Sequence, residues 1–324
     1  KLKNFHGISI DSRLVKKGNL FLTIKGKKND GKNFISKALN KGARYVVSSR
    51  KSIRHKKKMI NVHNEINFLN DYAAKKRNCS KAKIVAITGS AGKTSLKNLI
   101  YELIKNYGPA LCSPKSYNNH FGVPLSLSDL NYNHKFGIFE VGMSKAGEIN
   151  KLSKLIRPHI AIITNIGEAH IENFENLRGI ADAKGEIIKN VKKGGTLILN
   201  RDDTFYNYLK KIAERNKIKV VSFGFSKKSD VYPTKIFKNK KNTKLGIKVG
   251  SKNLNLEIKN INIYNVLSSI TLLSQLNLNL DKITKNFRNY EPTEGRGKIH
   301  KIKRYKKKFK LIDESYNANP LSVK

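Results

Sequence analysis

The sequence has 324 residues, 39% hydrophobic and 27% charged, with 66 Lys and Arg against 23 Asp and Glu, a formal net charge of +43. This length and hydrophobic fraction predict two or three domains, each with a hydrophobic core. No apolar run approaches the roughly 20 residues that a membrane-spanning helix needs. Cys79 and Cys112 are too few and too isolated for a disulfide framework or a metal cluster, and with no secretory signal in view they favour a reducing cytoplasm.

The large positive charge invites a nucleic-acid interpretation. The lysines are, however, spread along the whole chain, and dense patches occur at 50–58 and 303–310 alone. Because a run of charge usually forms a solvated face, we expect no nucleic-acid partner and no membrane partner. The excess positive charge can still attract a polyanionic substrate such as a nucleotide diphosphate.

Residues 1–80 are predicted to form a small mixed α/β N-terminal domain. The alternating strand LFLTI follows Gly18, and a second strand, RYVVSS, follows Gly42. Between them, Lys32–Lys41 carries apolar residues at helical spacing. The basic stretch 50–58 after the second strand has the composition of a surface connection.

From Lys83 onward, short apolar strands alternate with helical segments. The strands are KIVAIT, FGIFEVG, HIAIITNIG, TLILN and VVSFGF, and the first is followed by the amphipathic segment Ser95–Asn106. This alternation predicts a central, doubly wound, mostly parallel sheet over residues 81–295. Between Asp230 and Ile258 the pattern changes to short alternating segments, which predict an antiparallel extension of that sheet.

Two predicted helices, 264–276 and 281–289, close the central domain. After them, Gly297–Ile312 begins a strand-rich unit that has no room to finish before the last residue. We therefore expect residues 296–324 to be the start of an incomplete Rossmann-like C-terminal domain.

A glycine-rich turn lies between the first central strand and its helix, which is the context that a phosphate-binding loop (P-loop) requires. Its residues are Gly89, Ser90, Ala91, Gly92, Lys93, Thr94 and Ser95. Glycines let several backbone N–H groups face one anion, and the helix N-terminus adds its positive dipole end. Lys93 would then reach the β- and γ-phosphates, and the Thr94 hydroxyl would bind Mg²⁺. The alternative is a glycine-rich structural turn, since only two residues separate Gly89 from Gly92.

Three further side chains are candidates for the same site. Glu140 ends the strand IFEV, His170 follows the strand in ITNIGEAH, and Lys184 lies in the helical segment ADAKGE. Ligands of an open α/β sheet bind beyond the carboxyl ends of its strands, so Glu140 and His170 are expected beside the phosphate loop. A carboxylate and an imidazole there suit divalent cations. Each taken alone has an ordinary structural alternative.

These motifs, taken in order, resemble the Mur ligase family over nearly the whole chain. They are TGSAGKTS, SYNNHFGVPLSL, FEVGMSKAGEI, ITNIGEAHIENF, ADAKGEI, LNRDD and LIDESYNANP, with ISIDSR near the N-terminus. Seven motifs in register are far more specific than any one of them. SYNANP and the Asn118–Pro124 segment are most similar to the members that join D-alanyl-D-alanine to UDP-N-acetylmuramoyl-tripeptide.

The resemblance implies a three-domain, ATP-dependent amide-bond ligase that acts through an acyl phosphate, with an N-terminal UDP-binding domain. It implies catalytic roles for Lys93, Lys184 and His170. Two Mg²⁺ sites are expected, with Thr94, Glu140, His170 and Lys184 as ligands, the lysine being carbamylated by CO₂. A carbamate supplies the anionic oxygens that hard cations prefer, whereas a cationic lysine repels them.

The resemblance also implies further binding residues. The nucleotide-binding residues beyond the loop are Asn200 and Asn265 near the adenine, Arg296 at ATP phosphate, and Asp313 and Glu314 in a nucleotide-facing loop. The substrate-binding residues are Ser12 and Arg13 at the uridine-diphosphate end, with Asn118 and Asn119. A monomer is expected.

The sequence departs from the family pattern in three places and at its end. Tyr264 stands where His is usual, Glu314 where Asp is usual, and Lys32 where His is usual. The chain ends at Lys324, shortly after SYNANP, so most of the family's C-terminal domain is expected to be missing. On that basis we expect the 324-residue chain to bind nucleotides weakly and not to turn over.

Other functions stay open at this stage. A sister ligase that adds a diamino acid to the dipeptide precursor, and a folylpolyglutamate synthetase, would share the loop and the metal lysine. A basic nucleic-acid-binding ATPase is an alternative of another class, and would show salt-sensitive binding to DNA or RNA. A third alternative is a non-catalytic binding module.

Overall fold

The computed structural model describes residues 5–26, 29–50, 55–239, 242–304 and 307–316. The strands are β1 (Ile8–Ser9), β2 (Leu20–Leu22), β3 (Tyr45–Ser48), β4 (Met59–Asn61), β5 (Lys83–Thr88), β6 (Ala110–Cys112), β7 (Phe136–Glu140), β8 (Ile160–Ile163), β9 (Thr196–Asn200), β10 (Lys219–Phe223), β11 (Val231–Lys238), β12 (Thr243–Val249), β13 (Lys252–Ile258), β14 (Lys298–Arg304) and β15 (Lys307–Asp313). The α-helices are α1 (Ile35–Asn40), α2 (Glu65–Cys79), α3 (Lys93–Ile104), α4 (Gly122–Ser128), α5 (Glu148–Ile156), α6 (Leu177–Gly185), α7 (Tyr206–Arg215), α8 (Ile263–Gln275) and α9 (Thr284–Asn289).

The chain divides into two compact units. One comprises Lys1–Lys81 and His120–Tyr132, and the other comprises Ala82–Asn119 and Asn133–Lys324. The segment that carries α4 thus belongs to the first unit, although it lies in the middle of the central domain in sequence. The three domain ranges given above stay a prediction.

The first unit is built on a parallel sheet. In its described residues the strand order is β1-β2-β3-β4. The segment predicted as helix Lys32–Lys41 begins instead as a 3₁₀ turn at Gly31–Phe34 and is α-helical only over α1. The Asp30 carboxylate accepts from Lys32 N and caps that turn. Helix α2, which the sequence analysis did not predict, is capped by the Asn64 side chain and packs against α4.

The second unit is built on a nine-stranded sheet in the order β13-β12-β11-β10-β9-β8-β5-β7-β6, as far as the described residues go. Strands β5 to β10 pair in parallel with their neighbours in this group. Strand β12 pairs antiparallel with β11 on one side and with β13 on the other. This confirms the predicted mostly parallel sheet with an antiparallel extension. Because β5 lies between β7 and β8, the loops that leave these three strands meet at one edge of the sheet.

Helices α3 and α8 pack against each other and contribute to one core with the sheet. Leu96, Leu99, Ile100 and Leu103 of α3 are buried on the face that covers β5 and β7, as their spacing predicts. Helices α3 and α8 occupy the predicted segments within two residues at each end. This core holds the phosphate-loop end of α3 firmly on the sheet.

Residues 298–304 and 307–313 pair as a two-stranded antiparallel hairpin, β14–β15. Phe309, Leu311 and Ile312 of β15 are exposed, the last at 61% of its surface. The predicted start of a Rossmann-like C-terminal domain stays a prediction, and Asn317–Pro320 of the SYNANP motif and part of the 50–58 stretch lie outside the described residues. No helix in the described part of the chain has the length and apolar character needed to cross a bilayer.

Candidate active site

The phosphate loop connects β5 to α3 and depends on two glycines with positive φ. Gly89 has φ 143° and Gly92 has φ 80°. A Cβ at Gly89 would lie 1.9 Å from Thr164 Oγ1, so no other residue fits there without a local shift. The predicted glycine-rich turn therefore has the backbone that only glycines supply easily.

The loop is tied to the segment that follows β8. Asn165 accepts from both Ser90 N, through its backbone oxygen at 3.0 Å, and Ala91 N, through its side-chain oxygen at 2.8 Å. Thr164 Oγ1 donates to Ala91 O at 2.7 Å. The sequence analysis did not single out Thr164 or Asn165. Their position directly after β8, within the ITNIG motif, was the signal that could have identified them.

Lys93 and Lys184 lie close enough for their charges to interact. Lys93 Nζ donates to Gly89 O at 2.7 Å, and burial lowers the pKa of Lys93. Lys184 is only 2% exposed. Its burial, and after it the charge of Lys93, lowers the pKa of Lys184 to about 7. A large share of the Lys184 amine is therefore uncharged near neutral pH, which is the form that attacks CO₂.

Glu140, at the end of β7, contacts Thr94 at the start of α3. Thr94 Oγ1 donates to Glu140 Oε2 at 2.7 Å, and Asn118 Nδ2 donates to Glu140 Oε1 at 2.7 Å. Glu140 is 1% exposed and Thr94 is 5% exposed. The structure thus brings together the predicted metal ligands Thr94 and Glu140 and the predicted substrate residue Asn118.

A hydroxyl and a carboxylate at a phosphate loop fit Mg²⁺, which prefers oxygen ligands and shares them with substrate phosphates. Among the described residues no group of three or more His, Cys, Asp and Glu side chains could hold a metal ion. The fit therefore rests on Thr94 and Glu140, with phosphate oxygens as further donors.

His170 has other contacts. It has φ 65° and begins a short 3₁₀ turn after β8. Its side chain is 48% exposed, and its Nδ1 lies 3.7 Å from Glu172 Oε1. Among the residues that the structure describes, no hydrogen bond joins His170 to Thr94, Glu140 or Lys184, so its role as a metal ligand stays a prediction.

Arg296 reaches the phosphate loop through Ser116. Arg296 Nη2 donates to Ser116 Oγ at 3.2 Å, and Ser116 Oγ lies 3.4 Å from Thr94 Oγ1. The Arg296 guanidinium also lies 4.2 Å from the centre of the Tyr316 ring. This places a third cation near Lys93, and the expected contact of Arg296 with phosphate stays a prediction.

The other predicted nucleotide residues lie at three places. Asn265, in the first turn of α8, faces the loop, because its Oδ1 is 3.2 Å from where a Cβ of Gly92 would be. Asn200 ends β9, is buried, and accepts from Asp202 N. Asp313 accepts from Gly295 N at 2.7 Å and from Ser315, which lowers the pKa of Asp313 to about 2.

The remaining predicted residues are more exposed or belong to the first unit. Glu314 is exposed, and its Oε1 is 3.1 Å from where a Cβ of Gly297 would be. Asn119 is exposed. In the first unit, Ser12 is buried and Arg13 is exposed, with an ion pair to Asp11 at 2.7 Å. The predicted roles of these four residues stay predictions.

Two further groups pack beside Glu140. Lys97, one turn after Lys93 on α3, is fully buried and its Nζ lies 3.9 Å from Glu140 Oε2. Burial raises the pKa of the neighbouring Cys112 thiol to about 11. Neither residue was predicted to belong to the site.

A glycine-rich phosphate loop on a mostly parallel sheet, with a buried hydroxyl–carboxylate pair beside it, is characteristic of P-loop nucleotide-binding proteins. Residues 87–273 match the family model described as Mur ligase middle domain, and residues 4–90 match that of the Mur ligase family, catalytic domain. The chain belongs to the Mur ligase family, as its motifs predicted.

Relatives and solved structures agree with this assignment. A UDP-N-acetylmuramoyl-tripeptide–D-alanyl-D-alanine ligase of Rickettsia prowazekii is 34% identical over 99% of this chain and 72% of its own length. The Escherichia coli enzyme of the same name is 31% identical over 96% of this chain and 69% of its own length. MurF from Acinetobacter baumannii has TM-score 0.86 and 27% identity over 98% of this chain and 69% of its own. MurF ligase from Thermotoga maritima in complex with ADP has TM-score 0.83 and 25% identity over 98% and 72%.

Proposed function

We propose that the protein to which this chain belongs uses ATP to join D-alanyl-D-alanine to UDP-N-acetylmuramoyl-tripeptide. The observation that carries the proposal is the hydrogen bond between Thr94 and Glu140 beside the phosphate loop, in a chain 34% identical to a relative named for that activity. A buried hydroxyl–carboxylate pair at such a loop suits a metal-bound nucleoside triphosphate. The ADP complex of the Thermotoga maritima relative supports ATP as the nucleotide.

The reaction needs ATP because a carboxylate is a poor electrophile until one of its oxygens becomes part of a good leaving group. A carboxylate oxygen of the tripeptide attacks the γ-phosphorus, and ADP leaves with the electrons of the broken O–P bond. The dipeptide amine then attacks the carbonyl carbon of the acyl phosphate. The tetrahedral intermediate loses a proton from nitrogen and expels phosphate, so an amide bond remains. The protein contributes positioning and charge stabilisation.

The residues of the second unit supply that stabilisation. Lys93 would exchange its bond to Gly89 O for phosphate oxygens, and Arg296 is within reach of the same region through Ser116. The other residues proposed to contact the nucleotide are Ser90, Ala91, Ser95, Asn200, Asn265, Asp313 and Glu314. His170 is proposed as a catalytic residue that turns toward the nucleotide from its present contact with Glu172.

Lys184 is proposed to carry a carbamate. Its uncharged amine nitrogen would bond to the carbon of CO₂ and release one proton, which converts a neutral amine into an anionic carbamate beside Lys93. Thr94, Glu140, His170 and this carbamate would hold Mg²⁺ at two sites. When bound, Mg²⁺ would neutralise charge on the phosphates.

The residues proposed to bind the muramoyl substrate are Ser12, Arg13, Asn118 and Asn119. Ser12 and Arg13 of the first unit would contact the uridine diphosphate, and Asn118 and Asn119 the remainder. The ranges 1–80, 81–295 and 296–324 are proposed as the domains for these roles. We further propose that the protein acts in the cytoplasm as a monomer, without a nucleic-acid partner.

The test is phosphate release from ATP by the purified full-length gene product, which includes any residues beyond those of the 324-residue chain. We expect release with UDP-muramoyl-tripeptide and D-alanyl-D-alanine together, and little with either substrate alone. Release with a diamino acid and UDP-muramoyl-dipeptide would favour a sister ligase. Release that DNA or RNA stimulates, and the muramoyl substrate does not, would refute the proposal.

A further inference from the structure

Lys97 is a fully buried lysine that the reaction described above does not use. Its side chain is 0% exposed, and it lies on α3 one turn beyond Lys93. A buried ammonium is costly unless it is paired and hydrogen-bonded, so its partners indicate why it is there.

The Lys97 ammonium bonds to the segment 113–118, which follows β6. Its Nζ donates to Ser113 O at 2.6 Å and also to Lys115 O. Lys115 has φ 45°, the left-handed region that a non-glycine residue adopts at some cost. Two bonds from one cation therefore hold a turn that would otherwise be unfavourable.

This segment also carries groups that contact the metal-binding pair. Ser113 Oγ accepts from Glu140 N at 3.2 Å, and Asn118 Nδ2 donates to Glu140 Oε1. Ser116 Oγ lies between Thr94 and Arg296. The position of the Glu140 carboxylate thus depends on the conformation that Lys97 holds.

Lys97 also acts on Glu140 directly. Its Nζ lies 3.9 Å from Glu140 Oε2, the oxygen that accepts from Thr94. Both members of this ion pair are buried, so solvent screens their attraction little.

We propose that Lys97 is a positioning residue that holds the 113–118 segment and the Glu140 carboxylate in the geometry that binds the magnesium complex of a nucleotide. The inference rests on the proposed function, because it concerns the same nucleotide site. Lys97 touches neither substrate nor nucleotide in this scheme and acts through Glu140, Ser116 and Asn118.

The test compares ADP affinity by calorimetry in excess Mg²⁺ and in EDTA. The variants are Lys97→Met, which keeps length but removes the charge and all donors, Glu140→Gln, and the double variant. Lys105→Met is the matched control, since Lys105 directly follows the same helix but its side chain is 48% exposed and pairs with Glu102.

For Lys97→Met we expect at least about a tenfold loss of ADP affinity in Mg²⁺, since bonds to a charged group are lost, and less than about a threefold loss in EDTA. Lys105→Met should match the wild type in both. In the double variant the losses should not add, because Lys97 acts through Glu140. Amides of 113–118 should exchange faster with solvent hydrogen in Lys97→Met, while those of 89–94 keep their rates.

The inference would be overturned if Lys97→Met bound ADP as tightly as the wild type, or if it lost equal affinity in Mg²⁺ and in EDTA. It would also be overturned if the losses of affinity in the double variant were additive. If the wild type itself binds no ADP, the proposed function fails instead. Should Lys97→Met not fold, Lys97→Gln, which keeps one donor, should give an intermediate loss. If neither variant folds, slow amide exchange across 113–118 in the wild type is still required, and exchange as fast as in the exposed 227–228 turn would refute the inference.

Discussion

The phosphate-loop region and the β14–β15 hairpin belong to the same unit but are stabilised in opposite ways. Gly89, Lys93 and Thr94 lie among buried groups, and each has a partner contributed by a distant part of the chain or by the loop itself. In the hairpin, by contrast, Phe309 and Ile312 are exposed. A short segment whose residues are strongly constrained can thus be recognised from sequence. The apolar residues of an exposed hairpin, by contrast, are not buried in a core, so their apolar character does not reveal where they lie.

The largest expected effect is on stability at the loop. Gly89→Ala should lower the free energy of unfolding by about 3–4 kcal/mol, because its Cβ would overlap Thr164 Oγ1 in a backbone conformation that alanine disfavours. Urea denaturation measures this change. Gly147→Ala is the matched control: Gly147 also has positive φ, but nothing lies within 4 Å of its Cβ position, so about 1 kcal/mol is expected. Equal losses at the two positions would show that the close approach to Thr164 is unimportant.

The next effect is on nucleotide binding. Lys93→Ala should weaken ADP binding by about 100-fold, since a charge-assisted bond to phosphate is lost. Calorimetric titration with ADP measures it. Lys154→Ala, at an exposed position of α5, serves as the control and should bind as the wild type does. An unchanged affinity in Lys93→Ala would mean that the loop is only a structural turn.

A smaller effect concerns the pH dependence of stability. Because the pKa of Lys184 is lowered to about 7 in the folded state, the unfolded chain binds more protons above pH 7. Burial of the protonated Lys184 therefore lowers the free energy of unfolding by its full amount below pH 7. This loss shrinks as the pH rises toward the pKa of Lys184 in the unfolded chain. In CO₂-free buffer, Lys184→Met should stabilise the protein by about 2 kcal/mol more at pH 6 than at pH 9. A pH-independent difference in urea denaturation would contradict the assignment.

The smallest effect is expected in the hairpin. Phe309→Ser should change the free energy of unfolding by less than about 0.5 kcal/mol, because the ring is 47% exposed. Thermal and urea denaturation would measure it, with Phe139→Ser, at a fully buried ring of β7, as the destabilised comparison. A loss of more than about 2 kcal/mol at Phe309 would show that the hairpin contributes to a core after all.

Much of the second unit was predictable from sequence, because its signals are local. The β5 strand, the glycine spacing and the apolar positions of α3 lie within about twenty neighbouring residues, so periodicity and turn chemistry identify them. Helix α4 was not predicted, since Pro124 lies within it. Proline is tolerated there because it occupies the first turn, where its missing N–H would have no helical partner.

The contacts between distant segments could not be predicted in the same way. Asn165 lies more than seventy residues from the Ala91 amide that it accepts from, and Lys97 is indistinguishable in sequence from the many exposed lysines. For His170, the position after a strand predicted a metal ligand, whereas in the structure its side chain lies near that of Glu172. A residue's place at a strand end is readable from sequence, but the direction of its side chain is not.

The burial of Cys112 has a practical consequence for labelling. Thiol reagents attack the thiolate, which is scarce when the pKa of the thiol is about 11. Cys79, the other cysteine of the sequence, is exposed. A maleimide dye at neutral pH should therefore attach at the end of α2 alone, and it provides a fluorescent reporter on a chain that contains no tryptophan.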